Sequence, residues 1–429
     1  MNPSPTDRLY AIVEQGLCIG CGICQSVAGP EVVSVTLTET GYRHPLVVGA
    51  LDHATVDTIY DICPGTHVEG PMAPTAGPEP RVDPVWGPWR RIVRAWAADP
   101  AVRFEASTGG ALTALGQYLL STGRVDAVLH TRPSSTDPTG GEPTLSSTEV
   151  DVGRAGGSRY GPAAPLLRLD EVLDRGRPFA VIAKPCDISA LANLARHDER
   201  VDELLRYRLT MVCGGFGTPA FTAGYLRSIG IERDELTDFR YRGRGCPGPT
   251  RAETADRIEE RHYLDFWGED ASQWSLPWRC KICPDGIGEC ADIAAADTWP
   301  GGSPTREAGD SDPGTNAVIA RTALGLELLE AAARDGALTI DDDIGPEELS
   351  SYQPHQVRRK SAVAPRLAGI TGTGRIVPEF TGLRLDELAA ESTPHERERQ
   401  RAGTRERIRL GKATEPTPRA RPGRGPEPA

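Results

Sequence analysis

Three cysteines within seven residues, Cys18-Ile19-Gly20-Cys21-Gly22-Ile23-Cys24, are the densest concentration of chemistry in the chain. Their thiolates can converge on one small inorganic core only if the backbone wraps tightly around it. Gly20 and Gly22 permit the required dihedrals and let peptide N–H groups face sulfur. The position where such a run places its next cysteine holds Ala28, and a later Cys63-Pro64 dipeptide supplies a fourth thiol instead. Cys18, Cys21, Cys24 and Cys63 are expected to hold one [4Fe–4S] cluster. The competing reading is a zinc site, but zinc knuckles pair two separated CxxC units rather than placing three cysteines in one run.

A second set is more dispersed. Cys280-Lys281-Ile282-Cys283 is a single CxxC, weak alone. Cys186 and Cys213 each follow an expected strand, Phe179–Ala183 and Leu209–Val212. In a parallel sheet such strand ends share the carboxyl edge, where ligands bind. With Cys280 and Cys283 folded over that edge, the four would complete a second [4Fe–4S] site; buried apolar cysteine is the alternative for Cys186 and Cys213. Cys246 and Cys290 are left over as buried or free thiols, with Cys246 the spare-ligand candidate because its loop is glycine-rich.

Two segments could seat an organic cofactor. Ser107-Thr108-Gly109-Gly110 opens an expected helix, Ala111–Leu120. A Ser or Thr cap, two glycines and a free helix N-terminus make an anion cradle suited to a diphosphate. Gly156-Gly157-Ser158-Arg159-Tyr160-Gly161 offers a cation and a ring for a phosphate and a flat heterocycle. Gly243-x-Gly245-x-x-Gly248 matches a dinucleotide fingerprint only formally, since Pro247 and Pro249 forbid the helix that should follow. No histidine stands out as a general acid or base; His44, His262 and His355 are scattered, and the catalytic residue stays unassigned.

The elements that must position these residues follow from pattern and composition. Strand-like runs at Ile92–Ala97, Ala127–His130, Phe179–Ala183 and Leu209–Val212 alternate with helices at Ala111–Leu120, Ile188–Ala195 and Ala220–Ile229. That alternation predicts an α/β fold with a mainly parallel sheet. Residues 131–156, rich in Ser, Thr, Pro and Gly, read as a surface excursion. The domain plan is an N-terminal iron–sulfur segment (1–70), a Pro/Gly-rich linker or strap (71–90), a catalytic domain (91–375) and a C-terminal helix with a disordered basic tail (376–429). From Thr393 onward the chain carries ten basic and five acidic residues, read as a frayed helix followed by disorder. With 47 glycines and 37 prolines among 429 residues, loops outweigh a helical bundle. The formal charge of −12 argues against nucleic-acid or anionic-membrane binding. No apolar run approaches the roughly 20 residues of a membrane span, and no export signal is evident, so a cytoplasmic protein with reduced thiols is expected.

In this order the motifs resemble the β-subunit family of coenzyme F420 hydrogenases and dehydrogenases, which also includes ferredoxin-dependent chlorophyllide reductases. The resemblance rests on Ser107-Thr108-Gly109-Gly110 with its helix, the Gly123–His130 segment and Gly157-Ser158-Arg159-Tyr160. It continues through Lys184-Pro185-Cys186-Asp187, Met211-Val212-Cys213-Gly214 and Cys280-Lys281-Ile282-Cys283-Pro284-Asp285, as far as Ala291-Asp292-Ile293. It spans roughly residues 90–360, and the Arg242–Thr250 insert, Cys290 and the basic tail depart from it. It implies an α/β flavoprotein holding FAD, with a ferredoxin-like segment in front. It also implies cluster ligation by Cys186, Cys213, Cys280 and Cys283, and FAD contacts from Ser107, Thr108, Gly109, Gly110, Ser158, Arg159, Tyr160 and Lys184. A cation at Lys184 would favour a reduced, anionic flavin.

The expected activity is electron conversion. A flavin takes two electrons as a hydride and releases them one at a time, and iron–sulfur clusters carry them singly. An oxidoreductase with FAD and two clusters would pass electrons between a reduced deazaflavin or ferredoxin and an acceptor. The alternatives are a non-catalytic electron-transfer subunit of a larger redox complex and a zinc-stabilised binding protein.

Overall fold

The computed structural model describes residues 3–71, 79–270, 274–307 and 312–415. Pro5 starts the first helix, Pro5–Glu14, and Ser4 caps it through the Asp7 N–H. The cysteine loop follows, then helix Ile23–Ala28 and the antiparallel pair β1 (Val33–Leu37) and β2 (Arg43–Val47). Helix His53–Ile62, capped by Asp52, delivers Cys63 at its C-terminus, and β3 (His67–Glu69) follows. Within the expected linker, residues 72–78 lie outside the described residues. Beyond them β4 (Arg81–Asp83) and β5 (Gly87–Trp89) form a hairpin that withdraws Trp86 completely from water. Arg321 Nη1 donates to the carbonyls of Trp86 and Pro88, fixing the hairpin to the domain behind it.

In chain order that domain contributes β6 (Arg91–Ala97), β7 (Ala127–Pro133), β8 (Gly141–Ser146), β9 (Phe179–Ala183) and β10 (Leu205–Met211). Next come β11 (Leu236–Arg240), β12 (Pro249–Thr254) and β13 (Ile258–His262), a separate antiparallel sheet, and then β14 (Ile293–Asp297), β15 (Asn316–Ala320) and β16 (Leu338–Asp343). The main sheet has eight strands in the order β16-β6-β15-β14-β10-β9-β7-β8. Its centre is parallel: β14, β10, β9 and β7 run side by side in one direction. The flanks are antiparallel. The α/β class is as expected, but the sheet is mixed rather than mainly parallel. Among the described residues β7 joins β8, and β14 joins β15, without a crossover α-helix, and a strand that returns directly must run antiparallel. Residues 131–156 are not a surface excursion: they supply the end of β7, all of β8 and helix Glu149–Arg154. Their polar composition suits an edge strand, which also tolerates Pro143.

Alternate residues divide the sheet between two apolar layers. One face carries Val93, Ala95, Val128, Ala180 and Val318 against helices Ala111–Ser121 and Ala323–Arg334. The other carries Leu129, Phe179 and Val181 against helix Pro185–Leu194 and the N-terminal segment, through Ile19, Cys21, Ile23 and Ile62. A third small core joins Trp86 to Ile92, Ala294 and Ile319. At the far end β17 (Glu379–Thr381) pairs in parallel with β3. The helix expected to fray is a sixteen-residue helix, Pro394–Arg409, capped by Thr393. It packs on helix Val363–Ile370, with Gly369 and buried Thr404 in close contact. The remainder of the expected tail, 416–429, lies outside the described residues. Among the described residues no helix is long and apolar enough to cross a membrane.

Candidate functional site

Cys18, Cys21, Cys24 and Cys63 line one small cavity beneath the first helix. The left-handed dihedrals of Gly20 (φ 67°) and Gly22 (φ 93°) fold the loop back on itself. Peptide N–H groups point at sulfur: Gly20 N–H to Cys18 Sγ and Gly65 N–H to Cys63 Sγ, both 3.4 Å. Burial pushes the Cys24 thiol up to about 12, with Cys63 adding to it, and raises Cys18 and Cys21 further. Such thiols ionise only against a compensating positive core.

The second set comes together at the carboxyl edge, as its strands are neighbours. Cys186 lies in the first turn of helix Pro185–Leu194, directly after β9, and Cys213 lies just beyond β10. The Cys213 N–H donates to Gly286 O at 2.7 Å, drawing the loop after Cys283 onto that edge. Gly215 adjoins the CxxC, a Cβ placed on it sitting 3.5 Å from Cys280 Cβ. After burial, Asp187 and then Cys213 and Cys283 help raise Cys186, and Cys213 and Cys283 raise Cys280, which reaches about 12. Gly215 N–H faces Cys213 Sγ at 3.4 Å. Among the described residues no three Cys, His, Asp or Glu side chains are arranged as a ready site for a metal ion. Cys246 belongs to neither set: it is buried against Thr108, 3.7 Å from its Oγ1. Cys290 packs in the core and donates to Glu69 O at 3.2 Å.

Beside the second set, at the ends of β9, β10 and β14, opens a cavity of about 670 Å³. Ser107, Thr108, Gly110, Ser158, Arg159, Tyr160, Lys184 and Cys213 all line it. The Ser/Thr cap expected for helix Ala111–Ser121 is absent. Gly110, left-handed at φ 72°, occupies the cap, and Ala111 N–H donates to Asn316 Oδ1 at 3.2 Å. The hydroxyls are used elsewhere: Ser107 Oγ accepts the Ser158 N–H at 2.6 Å, and Thr108 Oγ1 is held by Arg242. Gly109 faces Asn316 so closely that a Cβ would come within 2.6 Å of Oδ1. Arg159 donates to Ser158 O, while its buried Nε has no partner. Burial, with Arg240 adding to it, lowers Arg159 to about 10. Tyr160 packs edge-on against Trp267, 5.2 Å between centroids.

Lys184 Nζ lies 2.8 Å from Asp187, whose side chain is completely buried. Burial alone would lower Lys184, but Asp187 and Cys186 outweigh it and hold the ammonium charged. Burial raises Asp187, and Lys184 offsets this only in part.

Three residues here were not singled out from sequence. Arg242, 2% exposed, pairs with Asp297 at 2.8 Å and lies over the rings of Tyr263 and Trp299. Burial opposes that pair, yet each partner outweighs it for the other, leaving Arg242 raised and Asp297 lowered. His130, from β7, lines the cavity with Nε2 2.7 Å from Ser146 Oγ, and burial lowers it to about 4. Arg242 immediately precedes the Gly243-x-Gly245-x-x-Gly248 stretch, which leads into β12 rather than a helix, as Pro247 and Pro249 dictate. Asp285 and Asp292 are buried caps: Asp285 accepts the N–H groups of Ile287, Gly288 and Glu289, and Asp292 accepts the backbone N–H of Arg208 and the hydroxyl of Thr322.

Comparison with known proteins places this arrangement. Two family models match, the coenzyme F420 hydrogenase/dehydrogenase β-subunit N-terminal model over residues 92–170 and the C-terminal model over 176–344, together more than half of the chain. The β subunit of an F420-dependent formate dehydrogenase from Methanocaldococcus jannaschii is 24% identical over 257 residues, 58% of this chain and 61% of that protein. The corresponding subunit of formate dehydrogenase 1 from Methanococcus maripaludis is 34% identical over 127 residues, 29% of this chain and 31% of that one. The chain thus spans about a third to three fifths of these curated relatives. A chain of the F420-reducing [NiFe] hydrogenase complex from Methanosarcina barkeri shares the fold, with TM-score 0.55 and 18% identity, over 70% of this chain and 99% of that one.

Proposed function

The chain belongs to the coenzyme F420 hydrogenase/dehydrogenase β-subunit family, and from that premise we propose that it is an iron–sulfur flavoprotein, a cytoplasmic electron-transfer subunit. It moves electrons between a reduced deazaflavin or ferredoxin and an acceptor, through FAD and two [4Fe–4S] clusters. The observation that carries this reading is the position of Cys213. It lines the large cavity and at the same time acts electrostatically with Cys280 and Cys283. A cofactor in the cavity and a cluster on the second cysteine set would be direct neighbours.

The residues fit both kinds of group. A four-iron core binds each thiolate through a different iron, so its cysteines stand apart instead of closing on one ion. Buried thiols with N–H groups aimed at sulfur suit such a core, with the ferredoxin-like segment of residues 1–70 holding one and the domain of 91–375 the other. In the cavity the start of helix Ala111–Ser121 that lines it, Ser107 to Gly110 and the partnerless Arg159 Nε would receive a diphosphate. Tyr160 and the neighbouring indoles would cover a ring system. Bound FAD would supply hydride acceptance and single-electron release. Lys184 keeps its charge beside the second set and would favour added negative charge nearby.

Relatives named as β subunits favour a role inside a larger complex. The deciding experiment is anaerobic purification followed by stopped-flow mixing with reduced deazaflavin, reduced ferredoxin and NADH in parallel. The protein should be brown, release FAD and contain about eight iron atoms per chain. Deazaflavin or ferredoxin should reduce it and NADH should not. Colourless protein loaded with zinc refutes the reading.

A further inference from the structure

Arg279 stands where the two cysteine sets meet. Its guanidinium is 2% exposed. Nε donates to Pro64 O at 2.8 Å, Nη2 donates to the same oxygen, and the group lies 5.0 Å from the centroid of Phe380. Its backbone N–H donates to Gly16 O at 3.1 Å. Two other buried cations find carboxylates, Arg242 on Asp297 and Lys360 on Glu289, whereas buried Arg321 is held by three carbonyls. Among the described residues Arg279 has no carboxylate within ion-pair distance. A buried cation with only a carbonyl and a ring for company is costly unless something nearby supplies negative charge. Its surroundings indicate the source: Pro64 follows Cys63, and Arg279 immediately precedes Cys280.

We propose that Arg279 is the shared counter-ion and positioning residue of two iron–sulfur centres, one charge that offsets both anionic cores while its bonds to Pro64 hold the Cys63 and Cys280 loops together. The inference rests on both cysteine sets holding clusters. Reduction adds a negative charge to a core, so a fixed cation beside it makes reduction easier. One arginine between two cores would do so for both.

The test is a redox titration followed by electron paramagnetic resonance on anaerobically purified full-length parent, Arg279→Gln and Arg279→Lys proteins. In Arg279→Gln both centres should become harder to reduce, each one-electron equilibrium shifting about tenfold, or 59 mV. Arg279→Lys, which keeps the charge, should stay near the parent. Unchanged potentials for both centres in an iron-replete Arg279→Gln protein overturn the proposal. Should Arg279→Gln lose iron, retention by Arg279→Lys supports the charge role, and loss by both overturns it. Iron analysis of the parent separates this failure from that of the cluster reading: an iron-free parent refutes both.

Discussion

Ser107 Oγ accepts the backbone N–H of Ser158 at 2.6 Å, fastening together two glycine-rich segments that are 51 residues apart. Both residues line the large cavity, so the bond ties two parts of its wall together. The serine that looked like a helix cap is in fact a clasp.

Loosening that clasp has a measurable cost. Ser107→Ala deletes one largely buried hydrogen bond and should lower stability by about 1 kcal/mol, with severalfold weaker flavin retention. Gly109→Ala is harsher, because φ is 57° and the added methyl meets Asn316 Oδ1. It should cost about 2 kcal/mol and release most of the flavin. Thermal melts and fluorescence of the released flavin measure both effects. Full flavin content in Gly109→Ala would remove the anion cradle from the picture.

Iron content separates the ten cysteines into ligands and bystanders. Cys24→Ser and Cys213→Ser should each cost about four of eight irons. Cys246→Ser and Cys290→Ala should cost none, since one thiol rests on Thr108 and the other on a carbonyl. Of the two depleting variants, Cys213→Ser alone should also perturb the flavin absorption band, because Cys213 lines the cavity. Iron and labile sulfide determined per chain decide the matter.

Part of the acid sensitivity should trace to His130, the rest to His355, which burial also lowers to about 4. Burial lowers the pKa of His130 from 6.5 to about 4, so on acidification the unfolded chain takes up the proton first. Its contribution is complete above pH 6.5 and is lost as the pH falls towards 4, about 3 kcal/mol over that window. His130→Gln should flatten this part of the stability curve. Urea unfolding midpoints at about pH 7 and about pH 4.5 provide the check. An unaltered slope in the variant would assign the acid limb to other groups.

Much of the site was readable because cysteine spacing and strand–helix alternation are local signals. Phe179–Ala183 coincides with β9, and the CxxCxxC glycines adopt the dihedrals their spacing demands. Legibility ended where long-range partners decide the outcome. The Ser107 hydroxyl looks identical in sequence whether it caps its own helix or reaches Ser158. Arg242 gave no warning, since its carboxylate partner lies 55 residues on in β14. β8 was hidden by Pro143 and a polar composition that only an edge position tolerates. His130 looked apolar-strand in context, and its burial depends on neighbours from several elements.

The parallel pairing of β3 with β17 is one of several stitches between early and late residues. Gln15 Oε1 accepts the Ile376 N–H at 2.6 Å, Glu415 N–H reaches Glu14 O at 3.2 Å, and Ala413 is fully buried beside Leu17 and Trp278. The hydrophobic core against which Cys18 packs is thus completed by residues translated long after it, among them Trp278, Ile370 and Ala413. During synthesis that core stays incomplete until the late segments have docked. A product truncated before the last helix would leave the apolar surface around Leu17 and Trp278 open to water.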